Sequence, residues 1–211
     1  MVCLKFINEV KSEEELRSLL GNPGVLAKNK VIDYLDENCI EFLRKSPFLI
    51  VSSANSSGRC DSSPRGDAPG FIHVIDQKHF VIPERPGNRR LDSILNVLEN
   101  PQVGVLFLIP GLDETLRING SATVIRDEHI LENMKANGKT PLLGIAIEVE
   151  ECFIHCGKAF ERSGLWNQDT WIEKAALPSA AKMLAAHAKL PDMTEKEVAT
   201  SLDESYRKRL Y

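Results

Sequence analysis

The chain has 211 residues, enough for one large domain, with 43% hydrophobic and 27% charged side chains, an ordinary globular balance. Its 26 basic and 30 acidic side chains give a formal net charge of −4, which argues against general nucleic-acid binding, because that usually shows a basic excess. The apolar runs fall far below the ~18 residues of a membrane span, and five scattered cysteines, Cys3, Cys39, Cys60, Cys152 and Cys156, suit free thiols in a reducing compartment.

The N-terminus, MVCLKFINEV, has no leader pattern and runs straight into SEEE, so the expected location is cytoplasmic. Residues 1–45 read as helical. Ser12 followed by Glu15 is a capping-box pattern, and Leu16, Leu19 and Leu20 keep helical spacing until Gly21-Asn22-Pro23-Gly24 stops it. A second helix starts near Asp36, carries Ile40, Phe42 and Leu43, and ends before Pro47.

From Phe48 the runs become short, β-branched and bounded by Gly, Pro, Asn and Asp, which predicts strands. They fall near 48–54, 59–65, 71–75, 79–83, 103–109, 115–126 and 142–155. A helix interrupts them at about 88–99, with Leu91, Ile94, Leu95 and Leu98 on one face, and another fills about 128–138. Asn119-Gly120 inside the long strand marks a bulge. Many short strands with few helices point to an antiparallel barrel. From Gly157 the chain reads as helices, one beginning at Leu177-Pro178-Ser179 and one at the capping box Thr194 to Glu197. One domain is expected over 1–211: helices in 1–45, the barrel in 46–156 and further helices in 157–211.

Two arginine sites stand beside chain reversals, Arg65 in SSPRGD and Arg89-Arg90 in ERPGNRRLDS. In the first, Ser62 and Ser63 can donate, Arg65 can pair with an anion, and the following glycine lets the backbone approach. In the second, Asn88 can cap the helix, whose free N–H groups then favour negative charge. The competing reading is a solvated arginine at each place.

These residues resemble a known family, the pyridoxamine 5'-phosphate oxidase-related FMN-binding split barrels. The matching pieces are FLIVSSA, SSPRGD, IPERPGNRRLDSILNVLENP, VGVLFLIPG, TLRINGSATVI and HCGKAFERSGLW, in the family's order over about residues 40–170. The resemblance implies a mainly β fold, a six-stranded antiparallel split β-barrel with flanking helices. It implies a flavoprotein, an oxidoreductase with FMN bound at a homodimer interface. Cofactor contacts are expected from Ser62, Ser63, Arg65, Ile82, Pro83, Asn88, Arg89 and Arg90, with the arginine pair on the phosphate. Arg117 lies on a strand that in the family approaches the partner subunit's flavin. Lys158, Arg162 and Trp166 belong to the family's late signature; a basic helix face with a core tryptophan is the plainer alternative.

The founding enzyme of the family carries an R-x-H element near its C-terminus. This chain ends SYRKRLY without one, which puts pyridoxamine phosphate oxidation in doubt. The remaining candidates are an oxidoreductase with a nicotinamide donor and a small-molecule substrate, a non-catalytic flavin carrier or sensor, and a split barrel using haem or a deazaflavin. No catalytic side chain is assigned, because a flavin carries the redox chemistry itself. No structural metal is expected: Cys152, His155 and Cys156 lack a second ligand pair, and on a strand Cys152 and His155 point to opposite faces. Neither a nucleic acid nor a membrane is an expected partner.

Overall fold

The computed structural model describes residues 6–191 and 193–211. The chain divides into two compact units, 1–31 and 32–211. In the first, α1 (Glu13–Leu20) is capped by Ser12, whose side chain accepts from the Glu15 amide. The return arm of the expected box differs: Glu15 accepts from the Lys11 amide rather than from Ser12. A short α2 (Val25–Asn29) follows, unforeseen in the sequence, and neither helix buries a residue.

The second unit opens with α3 (Glu37–Lys45), capped by Asp36, which accepts from the Cys39 amide at 2.8 Å. Seven strands follow: β1 (Phe48–Ala54), β2 (Cys60–Gly66), β3 (His73–Val74), β4 (His79–Pro83), β5 (Gln102–Leu108), β6 (Thr115–Ile125) and β7 (Gly144–His155). All neighbours pair antiparallel, in the order β2-β1-β5-β6-β7-β4-β3. The six strands that the resemblance implies are corrected to seven, the number of strand-like runs in the sequence; the run at 71–75 shortens to His73–Val74, which pairs with Val81 and Phe80 as an edge strand.

Apolar side chains at alternate positions build the core. Leu49 and Val51 of β1, Phe80 and Ile82 of β4, Val105 and Phe107 of β5, Ile118 of β6 and Ile145 and Ile147 of β7 are each at most 1% exposed. Each such side chain contributes roughly 1.5–3 kcal/mol on burial. The register of β6 against β7 shifts between Asn119 and Gly120, the bulge expected there. A Cβ at Gly120 would stand 2.0 Å from the Glu148 carbonyl oxygen, so only glycine fits.

Strand order alone would leave β2 and β4 far apart, five places from one another. At ~4.8 Å per strand a flat sheet would separate them by about 24 Å. Yet Arg65 of β2 pairs with Glu84, next after β4, and Arg85 Nε donates to Asp67 Oδ2 at 2.7 Å. The sheet therefore curls until β2, at one end of the order, meets the segment that leaves β4, next to the other end.

Helix α4 (Asp92–Glu99) begins four residues later than expected. Asn88 does not cap it. Asn88 Oδ1 accepts from the Arg90 amide in the preceding turn, and Leu91, at φ 60°, occupies the cap position. The expected apolar face is also corrected. Ile94 and Val97 are buried, whereas Leu91, Leu95 and Leu98 form an exposed stripe, 43%, 52% and 70% accessible. With the start at Asp92, the i, i+3 pair Ile94 and Val97 takes the core side.

The helix expected over 128–138 is shorter: α5 (Glu128–Leu131) passes into a 3-10 turn, Glu132–Met134, before Asn137 and Gly138 reverse the chain at positive φ. Beyond β7 come α6 (Lys158–Ser163), α7 (Ala180–Ala188) and α8 (Glu195–Lys208). Ser179 caps α7, and Thr194 with Glu197 forms the full capping box of α8. Among the described residues no helix is long and apolar enough to cross a membrane. Cys3 lies outside the described residues; the four described cysteines are free thiols.

Candidate functional site

The alternation of β2 places Asp61, Ser63 and Arg65 on one face and Ser62 and Pro64 on the other. Ser62 and Ser63 therefore do not act from the same side. The first face is bracketed at both ends by a single loop. At one end Glu84 opens the loop on Arg65. At the other, Ser93 in the first turn of α4 donates from Oγ to Asp61 Oδ2 at 2.7 Å. The segment ERPGNRR is thus strung along the Asp61–Ser63–Arg65 row, and it carries Arg89 and Arg90.

The four cations of this region differ. The Arg65 side chain is 13% exposed and that of Glu84 19%; the Arg65 Nε is buried with no hydrogen-bond partner. Arg85 is held by Asp67 and donates to the Met134 carbonyl at 2.8 Å. Arg90 grips Asp92 with two bonds, 2.8 and 3.2 Å. The Asp92 carboxylate raises the Arg90 pKa, and Arg90 in turn lowers that of Asp92. Arg89 is exposed, at φ 61°, and has no ion pair or hydrogen bond among the described residues. Two successive odd positions, Arg89 and Leu91, at positive φ mark a strained turn.

Asp67 closes the lower rim. Burial pushes its carboxyl up, but the Tyr211 hydroxyl, the Ala68 amide and Arg85 together bring it below the ordinary value. Tyr211 Oη donates to Asp67 Oδ1 at 2.6 Å, and the Arg85 guanidinium stands 6.0 Å from the tyrosine ring centre. Lys139 Nζ reaches the Tyr211 carbonyl oxygen at 2.9 Å. This acid–base–tyrosine cluster was missed in the sequence. The complementary signs of RGD at 65–67 and ER at 84–85 were the available signal.

The other expected residues lie elsewhere. Ile82 is fully buried in the core, and Pro83 is buried opposite Gly144. Arg117 faces the Phe153 ring at 5.5 Å, across the β6–β7 pair. Trp166 stacks on Phe160 at 5.7 Å and donates from Nε1 to the Leu112 carbonyl at 3.0 Å. Lys158 and Arg162 are exposed on α6. These four form a second group near the β5–β6 and β7–α6 connections, and none of the side-chain bonds described joins it to the Arg65 group. Among the described residues no three His, Cys, Asp or Glu side chains gather as metal ligands.

Solved structures of low identity are similar to this chain. HupZ of Group A Streptococcus is 17% identical, with 56% of this chain and 92% of that chain covered and a TM-score of 0.46. HutZ, the haem storage protein from Vibrio cholerae, is 15% identical over 57% and 93%, with a TM-score of 0.42. An FMN-binding protein from Syntrophomonas wolfei is 10% identical over 55% and 87%, also with a TM-score of 0.42. No curated protein matches the chain. The family model described as pyridoxamine 5'-phosphate oxidase matches residues 35–156, so all seven strands and the arginine-bearing loop lie within the match, and the chain belongs to the pyridoxamine 5'-phosphate oxidase family.

Proposed function

We propose that the protein is an FMN-binding flavoprotein of the split-barrel type, a homodimeric oxidoreductase that takes electrons from a nicotinamide donor. The observation that carries this reading is the Arg65 guanidinium. It is held in place by Glu84, yet its buried Nε–H has no acceptor. A phosphate oxygen would satisfy that donor. Glu84 already balances one positive charge there, so the exposed, unpaired Arg89 supplies the extra cation that a dianionic phosphate requires. Ser63 shares the Arg65 face and offers a hydroxyl.

Bound FMN would supply the hydride and electron chemistry. This chain's part is to hold the phosphate with Ser63, Arg65, Arg89 and Arg90, and to keep one face of the site open to a small substrate. In the dimer, Arg117, Lys158, Arg162 and Trp166 of one protomer serve the site of its partner, which accounts for their separation from Arg65 within a chain. The exposed Leu91–Leu95–Leu98 stripe is apolar surface for the second copy to cover.

An absorbance spectrum of the purified protein tests the cofactor. Flavin bands, bleached by NADH or NADPH and restored by air, are the expected result. Flavin bands that neither donor bleaches would make the protein a carrier, and a Soret band would make it a haem protein.

A further inference from the structure

Two buried thiols face each other away from the arginine cluster. Cys39 lies in the first turn of α3 and is 9% exposed; Cys152 lies on β7 and is fully buried. Cys152 Sγ donates to Cys39 Sγ at 3.4 Å. Nothing in the proposed flavin chemistry uses either.

We propose that Cys39 and Cys152 are an oxidation site that takes a hydroperoxide and becomes an intramolecular disulfide clamping α3 to β7. The spacing is the first argument. A disulfide has an S–S length of about 2.04 Å, so the sulfurs need to close by only ~1.4 Å. The second is the division of roles. The hydrogen bond from Cys152 lowers the Cys39 pKa, outweighing burial and the nearby Asp36 carboxylate, whereas Cys152 is pushed far up. Cys39 is thus the member of the pair that gives up its proton more readily, at a helix N-terminus that favours negative charge. It is also the member with some surface to meet a small oxidant.

The chemistry balances. Cys39 releases its proton, the thiolate attacks one oxygen of hydrogen peroxide, the O–O bond breaks, and the leaving hydroxide takes up that proton as water, giving a sulfenic acid on Cys39. The Cys152 sulfur then attacks the Cys39 sulfur. The S–S bond forms, the S–O bond breaks, and water leaves with the Cys152 proton. Two thiols are oxidised by two electrons, and one peroxide is reduced to two waters.

The third argument is what the bond would fasten. The backbone of Cys152 already exchanges two hydrogen bonds with Ile32, at 3.0 and 2.6 Å. The segment 32–39 therefore lies across β7 with one end pinned by the backbone and the other by the sulfurs. Oxidation would add a covalent tie to a strap that is otherwise held by hydrogen bonds and packing.

The test is titration of the reduced full-length protein with hydrogen peroxide, followed by denaturing thiol counting and peptide mapping. The expected product loses about 2 Da, carries a Cys39–Cys152 linked peptide, and returns to the free thiols with dithiothreitol. The double variant Cys60→Ser, Cys156→Ser should behave alike, and Cys39→Ser should leave Cys152 free. Oxygen adducts on Cys60 and Cys156 with Cys39 and Cys152 still unlinked would overturn the proposal. The wild-type map decides even if Cys39→Ser does not fold.

Discussion

Arg65 of β2 and Glu84, the residue after β4, form a nearly buried ion pair between strands five places apart in the sheet order and nineteen residues apart in sequence. Breaking such a pair from one side leaves an uncompensated buried charge and costs about 3–5 kcal/mol. Glu84→Leu and Arg65→Met should each lower the urea midpoint strongly, while the double variant recovers most of the loss. A cycle in which the two losses simply add would show that the pair does not hold the sheet ends together.

The Asp67–Tyr211 contact gives stability a pH dependence with two signs. The folded pKa of Asp67 is lowered, so its contribution is full above the ordinary carboxylate value, about 3.9, and fades as pH falls through the folded value. The Asp67 carboxylate raises the Tyr211 pKa, so that contribution is full below about 10 and fades as pH rises through the folded value. Asp67→Asn should flatten the acid slope of stability, and Tyr211→Phe the alkaline one, both read from thermal melts across pH.

FMN affinity should depend on Arg89 through phosphate alone. A charge-assisted hydrogen bond is worth roughly 1.5–3 kcal/mol, so Arg89→Ala should weaken FMN about 10- to 150-fold and riboflavin scarcely. Arg65→Ala should do the same if it still folds, and Arg126→Ala, on an exposed position after β6, should affect neither flavin. Arg89→Lys should recover part of the loss, because a point charge cannot remake a forked contact. Unchanged FMN binding in Arg89→Ala and Arg65→Ala would move the phosphate to Lys158 and Arg162.

Light scattering should give a particle of about twice the 23.5 kDa chain. Leu95→Lys and Leu98→Lys, on the exposed stripe of α4, should shift it toward the single-chain mass without lowering the stability of the sheet. A single-chain mass for the native protein loaded with FMN would remove the partner subunit from the site.

Gly120→Ala should be among the most damaging single-methyl changes in the chain. Its Cβ would meet the Glu148 carbonyl at 2.0 Å, and the neighbouring atoms are β7 backbone from Glu148 to Glu150, which cannot yield as a side chain would. A loss of at least ~1–3 kcal/mol is expected from overpacking alone, measured by denaturant unfolding. Gly58→Ala is the contrast: Gly58 has a positive φ, which Gly120 does not, and nothing within 4 Å, so only backbone strain is felt.

Local chemistry was legible in the sequence wherever one residue decided the structure. Alternation and bounding turns marked β1 and β4 to the residue. Asp36 and Ser179 capped their helices, and the glycine after Asn119 marked the bulge. Legibility failed where distant residues decided. Asn88 has the side chain of a cap, but Ser93 is drawn to Asp61 on another strand, and the helix starts only at Asp92. Likewise the segment around Arg65 offers it only a bound anion or solvent; the curl of the sheet is what brings Glu84 to it. The stripe Leu91–Leu95–Leu98 has helical spacing yet lies outside, because spacing does not say which side of a helix meets the sheet.

The strand order also bears on how the chain emerges during synthesis. β1 and β4 are complete by residue 83, but β1's second neighbour is β5 and β4's is β7, which end at residues 108 and 155. Until then each exposes an unpaired edge flanked by side chains that are wholly buried in the finished protein, Leu49 and Val51 on one, Phe80 and Ile82 on the other. Such edges are templates for foreign strands. A ribosome-stalled chain ending before Gln102 should therefore bind holdase chaperones, and one extended past His155 should release them.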